Sequence, residues 1–342
     1  MTTRILRNII TSTVVLASNL SAKENTLYRV AYDLGSGKIK MQAALIEENS
    51  LRILKMVDTS EIFIPLRDSI DQSKDTCISE DMIYLLLSSL KELQNQASLH
   101  GVISQSIGIG TEPFRVARNG QAVLKRLEDE TGIRLFCLSP EEEALLGVQT
   151  LHAEEKVSLG DEFISWENGG GSCQMTFTSK EGIQFFTKSL GKVPVKNYIL
   201  HQIQGKDPKI SQSPNPISFL EAKSTLSWLQ EELQDAPSWL QDNPSIQVIG
   251  MGAIFPNIQK ALGKMDVSLQ DLLKLLAERI GKTDEELKGF FDPTFMVSDL
   301  LFLYAVMEKL GIEKVKYEQL RGPGSTSGLL IDKVRWNFSI PF

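Results

Sequence analysis

The sequence predicts an α/β molecule of two lobes with a cleft between them, and three observations lead to this prediction. The chain has 342 residues, 42% of them apolar, which is enough for two domains with a core each. Glycine-rich turns at 33–38 and 167–172 each follow an apolar run. The same order of elements, three strands followed by helices and strands, surrounds each turn. The halves share no letter-by-letter identity, so the duplication is inferred from element order and glycine placement.

The first lobe is expected over residues 27–150 and opens with three antiparallel strands. Apolar-rich runs over 27–32, 39–46 and 51–57 predict these strands. Apolar residues then recur at helical spacing over 79–99. The elements expected after this helix are a buried strand over 102–109, a helix over 121–130 and a strand over 133–138.

The second lobe is expected over residues 151–342 and repeats this order. Strands are predicted over 162–166, 172–178 and 182–190. A proline-rich stretch over 208–216 precedes a long helix, an apolar strand follows over 246–249, and helices continue to about residue 310.

The first 26 residues have two open interpretations. Arg4 and Arg7 precede an apolar segment over 9–16, as in a secretory leader. The alternative is an N-terminal helix or a flexible extension, because Thr11, Ser12 and Thr13 interrupt that segment. We expect a cytoplasmic location, or a periplasmic or secreted one if the leader is cleaved. No apolar run reaches the ~18 residues of a membrane span, so stable membrane insertion is not expected.

Charge and cysteine usage narrow the class of function. With 36 basic and 43 acidic residues the net charge is -7, which argues against a nucleic-acid surface. The three cysteines and three histidines lack the spacing of a zinc site or a disulfide framework. A polyanionic ligand would therefore have to meet a local positive site.

Both turns are predicted to bind phosphate through backbone N–H groups, since glycine has no Cβ to block a close approach. The residues concerned are Gly35, Ser36, Gly37 and Lys38 in the first turn and Gly169, Gly170, Gly171 and Ser172 in the second. Neither turn has the Walker spacing. Asp33, at the end of its strand, is placed to hold a divalent cation that bridges phosphate oxygens.

Two further groups are candidates for chemistry. The acids at 141–143 follow Ser139-Pro140, so they complement the dipole of a capped helix. The alternative is that one of them projects into the cleft and activates a water molecule. Arg115 follows the end of a strand, where it is either a phosphate clamp or an ordinary surface residue.

These motifs occur together in a recognisable order. They are Asp33-Leu34-Gly35-Ser36 with Lys40, Thr111 with Arg115 and Asn119, residues 139–144, and Gly169-Gly170-Gly171-Ser172. In this order they resemble the exopolyphosphatase and guanosine pentaphosphate phosphohydrolase (Ppx/GppA) family, over about residues 28–330. The resemblance implies two ribonuclease-H-like lobes of the actin-like ATPase superfamily. It also implies Mg²⁺-dependent hydrolysis of terminal phosphoanhydrides.

The resemblance also implies partners and residue roles. The partners would be polyphosphate or a phosphorylated guanosine nucleotide such as pppGpp, and a homodimer is compatible with it. By position, Glu142 resembles the general base and Arg115 the arginine that contacts phosphate. Asp33 and Glu167 occupy the positions of metal-associated carboxylates.

The chain departs from the family pattern at several positions. Glu167 stands where Asp is usual, Gln174 where Glu is usual, and Pro194 and Thr326 where Arg is common. These changes leave three alternatives: an altered phosphatase, a nucleotide or alarmone sensor without hydrolysis, and an actin-like kinase or ATPase. We favour the phosphatase, because the glutamate, the arginine and both turns are retained.

Overall fold

The computed structural model describes residues 26–337 except 244, 291 and 323. It contains two β-sheets, one for each lobe. Lobe I holds β1 (Thr26–Leu34), β2 (Lys38–Glu47), β3 (Ile53–Phe63), β4 (Gln105–Gly110) and β5 (Arg134–Cys137). Lobe II holds β6 (Phe163–Asn168), β7 (Cys173–Ser179), β8 (Gly182–Lys188), β9 (Gln247–Gly252), β10 (Asp266–Ser268) and β11 (Lys314–Tyr317).

The two sheets have the same strand connections. In lobe I the order is β3-β2-β1-β4-β5, with β1 antiparallel to β2 and parallel to β4. In lobe II the order is β10-β11-β9-β6-β7-β8, with β6 antiparallel to β7 and parallel to β9. Apart from the edge strand β10, lobe II repeats lobe I strand for strand. The prediction of an α/β molecule with two ribonuclease-H-like lobes is therefore confirmed.

Helices cover the sheets and connect the lobes. The helices before β6 are α1 (Leu66–Gln72), α2 (Glu80–Ser98), α3 (Glu112–Val116), α4 (Gly120–Thr131) and α5 (Pro140–Ala153). Those between β8 and β11 are α6 (Lys192–Tyr198), α7 (Phe219–Glu232), α8 (Trp239–Asp242), α9 (Phe255–Leu262), α10 (Leu269–Arg279) and α11 (Met296–Leu310). A π-helical turn (Ile199–Ile203) extends α6, and a 3₁₀ turn (Pro293–Phe295) precedes α11.

The end of the described chain returns to lobe I. The last two helices, α12 (Thr326–Leu330) and α13 (Lys333–Asn337), follow β11 of lobe II. Leu329, Leu330 and Trp336 nevertheless share a buried cluster with Ala31 of β1 and Ile107 of β4. The predicted boundary, which gave all residues of 151–342 to lobe II, is therefore wrong for this segment. Its sequence has no signal for the crossing, because the apolar residues of a short helix fit either core.

Polar contacts also connect the lobes on the opposite side of the site, where α1 faces α6. The Lys196 ammonium is 2% exposed and lies 2.9 Å from Asp68 Oδ1. The Asn197 amide donates to Asp71 Oδ2 at 3.0 Å. A buried lysine needs such a partner, since an unpaired charge is costly to bury. These contacts hold the lobes together beside the two turns.

Two expectations from the sequence concern a leader at the N-terminus and a membrane-spanning helix. The possible leader at 1–26 lies outside the described residues, except for its last position. In the part of the chain that is described, no helix has the length and apolar character needed to cross a membrane.

We predict that Gly328→Ala destabilises the protein. A Cβ at this position of α12 would lie 2.5 Å from Leu146 O and 2.6 Å from Thr150 Oγ1 of α5. Overpacking of this kind costs about 1–3 kcal/mol, which exceeds the helix propensity gained from alanine. Urea unfolding of the full chain measures the loss.

The matched control is Gly289→Ala. A Cβ there would have no heavy atom within 4 Å, so we expect a change within about 0.5 kcal/mol. Equal stabilities of the two variants would contradict the close packing of α12 on α5.

Candidate functional site

The two glycine turns contact each other between the lobes. Turn 1 (residues 35–37) joins β1 to β2, and turn 2 (residues 169–172) joins β6 to β7. A Cβ at Gly170 would lie 2.8 Å from Ser36 Cβ and 3.8 Å from Gly37 N. A Cβ at Gly171 would lie 2.6 Å from Ser36 Oγ and would clash with Glu112 Oε2. The structure therefore brings together the two turns that the sequence analysis singled out.

The glycines are needed for space and not for a left-handed backbone. None of the five glycines in the two turns has a positive φ angle. At positions 170 and 171 any side chain would instead collide with lobe I. The glycines here thus allow the two backbones to approach each other closely.

Backbone donors remain free in both turns. Gly35 N and Gly169 N donate within their own turns, to Lys38 O and Ser172 O, each at 3.0 Å. The N–H groups of Ser36, Gly37, Gly170 and Gly171 donate to no other described residue. Converging backbone N–H groups without partners form an anion site.

The first turn is flanked by two lysines with different surroundings. Lys38, which was predicted to bind phosphate, is 44% exposed and pairs with Glu61 on the neighbouring strand. Lys40 instead lies 3.1 Å from Oδ2 of the buried Asp33. Lys40 is therefore the cation of this strand that lies in the site.

The acidic cluster at the start of α5 divides into an outer and an inner carboxylate. Glu142 is 51% exposed, pairs with Arg335 at 2.7 Å and accepts from the backbone N–H of Ser139 at 2.8 Å. Ser139 in turn caps the helix, so the pair forms a capping box. The Glu142 carboxylate thus caps the helix, and the expectation that it faces the cleft is not met.

Glu143 is the buried acid of the cluster. Its Oε2 lies 2.8 Å from Arg115 Nη1, which also donates to Leu138 O at 2.8 Å. Burial raises the pKa of the Glu143 carboxyl, and Arg115 opposes this shift. Glu143 and Arg115 therefore form a salt bridge at the edge of the site.

Glu167, at the end of β6, faces the same space. A Cβ at Gly147, one turn of α5 after Glu143, would lie 2.8 Å from Glu167 Oε2. Burial and the Glu143 carboxylate raise the pKa of Glu167 to about 8, and the Ser325 hydroxyl donates to its Oε1 at 3.2 Å. The Lys40 ammonium acts against this shift.

Residues 321, 322 and 324–327 form one wall of the site, a role that the sequence did not predict. Gly324 has a φ of +61°, and a Cβ there would lie 2.6 Å from Lys40 Nζ. The buried Glu154 accepts hydrogen bonds from Gly322 N at 2.8 Å and Ser327 Oγ at 2.7 Å. Glu154 lies just after the end of α5, so it fixes this segment over Asp33 and Lys40. Only the glycines around 322–324 could have indicated it.

A buried ion pair supports turn 2 from behind. The backbone N–H groups of Lys192 and Val193 donate to Gly169 O and Gly170 O, at 3.3 and 2.8 Å. The Lys192 ammonium lies 3.2 Å from Asp299 Oδ2 of α11. Burial raises the pKa of Asp299 to about 7, although Lys192 opposes this.

The expected Mg²⁺ would have to bind to the donors that the site offers. The described residues contain no group of three or more His, Cys, Asp or Glu side chains that could hold a metal ion. Magnesium, however, is usually bound by one or two carboxylates together with substrate phosphates and water. Asp33 Oδ1 is buried and has no hydrogen-bond partner among the described residues. The residues present therefore fit a cation that arrives with a phosphate ligand.

We predict that Asp299→Asn becomes more stable relative to the unchanged protein as pH rises. Since folding raises this pKa from 3.8 to about 7, the folded state binds the proton more tightly than the unfolded state. The stability from this group is present below about pH 4 and is lost as pH rises through about 7.

Thermal unfolding at pH 5 and pH 8.5 measures the effect. We expect the difference in unfolding free energy to change in favour of the variant by about 1–3 kcal/mol. Asp292→Asn, at the 43% exposed partner of the same lysine, is the control and should change little. A pH-independent difference for Asp299→Asn would contradict the assignment.

Solved structures similar to this chain have the same two-lobed fold. The Ppx/GppA family member of Aquifex aeolicus has a TM-score of 0.70 and 17% identity, covering 91% of this chain and 99% of that chain. An exopolyphosphatase from Cytophaga hutchinsonii has a TM-score of 0.69 and 15% identity, covering 90% of this chain and 98% of that chain. At such identities the likeness establishes the fold alone.

A sequence relative and a family comparison extend this likeness. A bifunctional 3-dehydroquinate synthase/phosphatase of Fusobacterium nucleatum subsp. nucleatum is 21% identical over 286 residues, or 79% of this chain and 41% of that protein. The chain thus spans less than half the length of this relative. The model of the Ppx/GppA phosphatase family matches residues 46–334. Since this match covers most of the chain, the protein belongs to the Ppx/GppA phosphatase family.

Proposed function

We propose that the protein hydrolyses terminal phosphoanhydride bonds of polyphosphate or pppGpp at the place where the two turns meet. The observation that carries the proposal is the contact of turns 1 and 2, which offers four free N–H donors, together with the pair of the buried Glu143 and Arg115. Family membership supports phosphatase chemistry. The substrate, the base and the cation are parts of the proposal.

The turns would bind the terminal phosphoryl group. Its oxygens are acceptors only, and the free N–H groups of Ser36, Gly37, Gly170 and Gly171 come from opposite lobes. Fixed donors of this kind stabilise the charge on the equatorial oxygens without reorganising during the reaction. Arg115, which donates to Glu143 Oε2 at 2.8 Å, would add a guanidinium to the same oxygens.

Glu143, and not Glu142, would be the general base. Its carboxylate is buried, and its raised pKa makes it a better proton acceptor than an exposed glutamate. The Arg115 contact fixes one oxygen, Oε2, which leaves Oε1 to accept the proton of a water molecule. That water would attack phosphorus in line with the leaving oxygen.

Asp33, with Glu167 opposite, would hold Mg²⁺ together with substrate phosphates and water. When bound, the cation would neutralise part of the negative charge of the phosphates. Lys40 keeps one oxygen of Asp33 paired at 3.1 Å, so its other oxygen, Oδ1, is the available ligand.

Charge pairing favours short or nucleotide-linked substrates over long polyphosphate. The basic residues around the turns are each paired with a carboxylate: Lys40 with Asp33, Arg67 with Glu112, Arg115 with Glu143, Lys192 with Asp299 and Lys196 with Asp68. A long polyanion would need a continuous track of unpaired cations. An alarmone substrate would also place the protein in the cytoplasm.

A second candidate is a protein that binds the same nucleotide without hydrolysing it. The specific observation in its favour is the low charge opposite Asp33. Gln174 is neutral, and Glu167 has a pKa of about 8. Weak metal binding would then reduce turnover and leave the cradle intact.

Phosphate release by the full chain from pppGpp, tripolyphosphate, long polyphosphate and ATP, with Mg²⁺, tests the proposal. We expect release from pppGpp or tripolyphosphate and little from ATP. Saturable pppGpp binding without release would favour the second candidate. Transfer of phosphate from ATP to an acceptor would contradict both.

The assignment of the base predicts different effects for two adjacent glutamates. Glu143→Gln should lower phosphate release by about 10²–10⁴-fold, because it removes the proton acceptor. Glu142→Gln should retain most activity, since this carboxylate caps α5 and pairs with Arg335.

Circular dichroism and thermal unfolding of both variants check that the fold is retained. Loss of activity in Glu142→Gln, with activity kept in Glu143→Gln, would return the role to the residue that the sequence alone suggested. Glu141→Gln, at an exposed position of the same helix, serves as the neutral control.

A further inference from the structure

A single side-chain contact links turn 2 to the strand that follows it. The Gln174 amide donates from Nε2 to Ser172 Oγ at 2.7 Å, and both residues are buried. Within the described part of the chain, Ser172 Oγ has no other hydrogen-bond partner. Gln174 therefore determines whether the Ser172 hydroxyl, the last side chain of turn 2, accepts or donates a hydrogen bond.

The direction of this hydrogen bond follows from the groups. An amide nitrogen can only donate, so the Ser172 hydroxyl oxygen accepts and its proton is not used in the pair. A carboxylate at position 174 could only accept a hydrogen bond, so the Ser172 hydroxyl would donate to it and would not be available to a ligand. A glutamate at position 174 would thus reverse the donor and acceptor roles at Ser172.

The surroundings place this pair on the face of the site. Gln174 is the cross-strand partner of Glu167, so their side chains share one face of the sheet. Thr176, two residues further, donates to Ala144 O of α5 at 3.3 Å. Ser172, Gln174 and Thr176 therefore face α5 and the cleft.

We propose that Gln174 is a positioning residue that holds the Ser172 hydroxyl as a hydrogen-bond donor for a phosphoryl group bound between the turns. The hydroxyl adds a side-chain donor to the free backbone donors of turn 2. Neutral Gln174 also avoids a second carboxylate directly opposite Glu167. The proposal depends on the proposed phosphate site, but it concerns binding and does not require turnover.

The test is binding of tripolyphosphate to the full chain by titration calorimetry, together with KM and kcat for phosphate release. Gln174→Glu should weaken binding about 10- to 100-fold, because a hydrogen bond to a charged group is lost and a carboxylate is added. Gln174→Met keeps the length and removes only the amide, so a smaller loss is expected. Both variants should retain the thermal unfolding midpoint within a few degrees.

Coupling to Ser172 separates positioning from a purely structural role. Ser172→Ala should weaken binding, and adding Gln174→Met to it should cause little further loss. An equal effect of Gln174→Met with and without the serine hydroxyl would overturn the proposal. So would Gln174→Glu that binds or hydrolyses as well as the unchanged chain, or a lack of tripolyphosphate binding by the unchanged chain.

The two proposals can fail separately. Binding that depends on Gln174 and Ser172, without phosphate release, supports the positioning role and rejects the hydrolase. Release that is indifferent to Gln174→Glu rejects the positioning role alone. A KM effect larger than the kcat effect is expected if both proposals hold.

Discussion

The site depends on the direct contact of two backbone turns from different lobes. Gly170 and Gly171 approach Ser36 so closely that a Cβ at either position would have to displace lobe I. The contact brings free N–H donors from both lobes together, which neither lobe could do alone. Separation of the lobes would part these donors, so the contacts that hold the lobes together also maintain the site.

Several parts of the chain hold the two lobes together around the turns. Helix α5 carries Glu143 toward the site and contacts Glu167 of lobe II through Gly147. Helices α12 and α13 return from β11 to lobe I, and Glu154 holds Gly322 and Ser327 by hydrogen bonds. On the other side, Lys196 pairs with Asp68 across the lobes. These links enclose the turns, and substrate entry in the proposed function would require some of them to open.

The sequence predicted the fold well because its signals were local and repeated. Strand patterns and glycine turns recurred in the same order, and this order is what defines each sheet. The return of α12 and α13 to lobe I was missed, since nothing local distinguishes a short apolar helix of one core from that of the other. The chain end therefore needed coordinates to be placed.

The candidate site was predicted less evenly. Position along the chain identified Asp33, Arg115 and both turns as neighbours, but it could not choose among adjacent acids. The capping box of Ser139 and Glu142 was a usable signal. A glutamate at the third position of a helix that starts with such a box accepts a hydrogen bond from the backbone N–H of the capping residue. The partners of Lys38 and Lys40 depend on which carboxylate lies beside each lysine on the neighbouring strand. The sequence alone does not give the distances between these groups. Such assignments follow from tertiary contacts alone.

Hydrogen exchange of the full chain with and without tripolyphosphate tests the central claim most directly. If the two turns bind one anion from opposite lobes, peptides covering residues 35–38 and 169–172 become protected together, over the same range of ligand concentration. Protection of one turn alone, or of neither turn at saturating tripolyphosphate, would contradict the account.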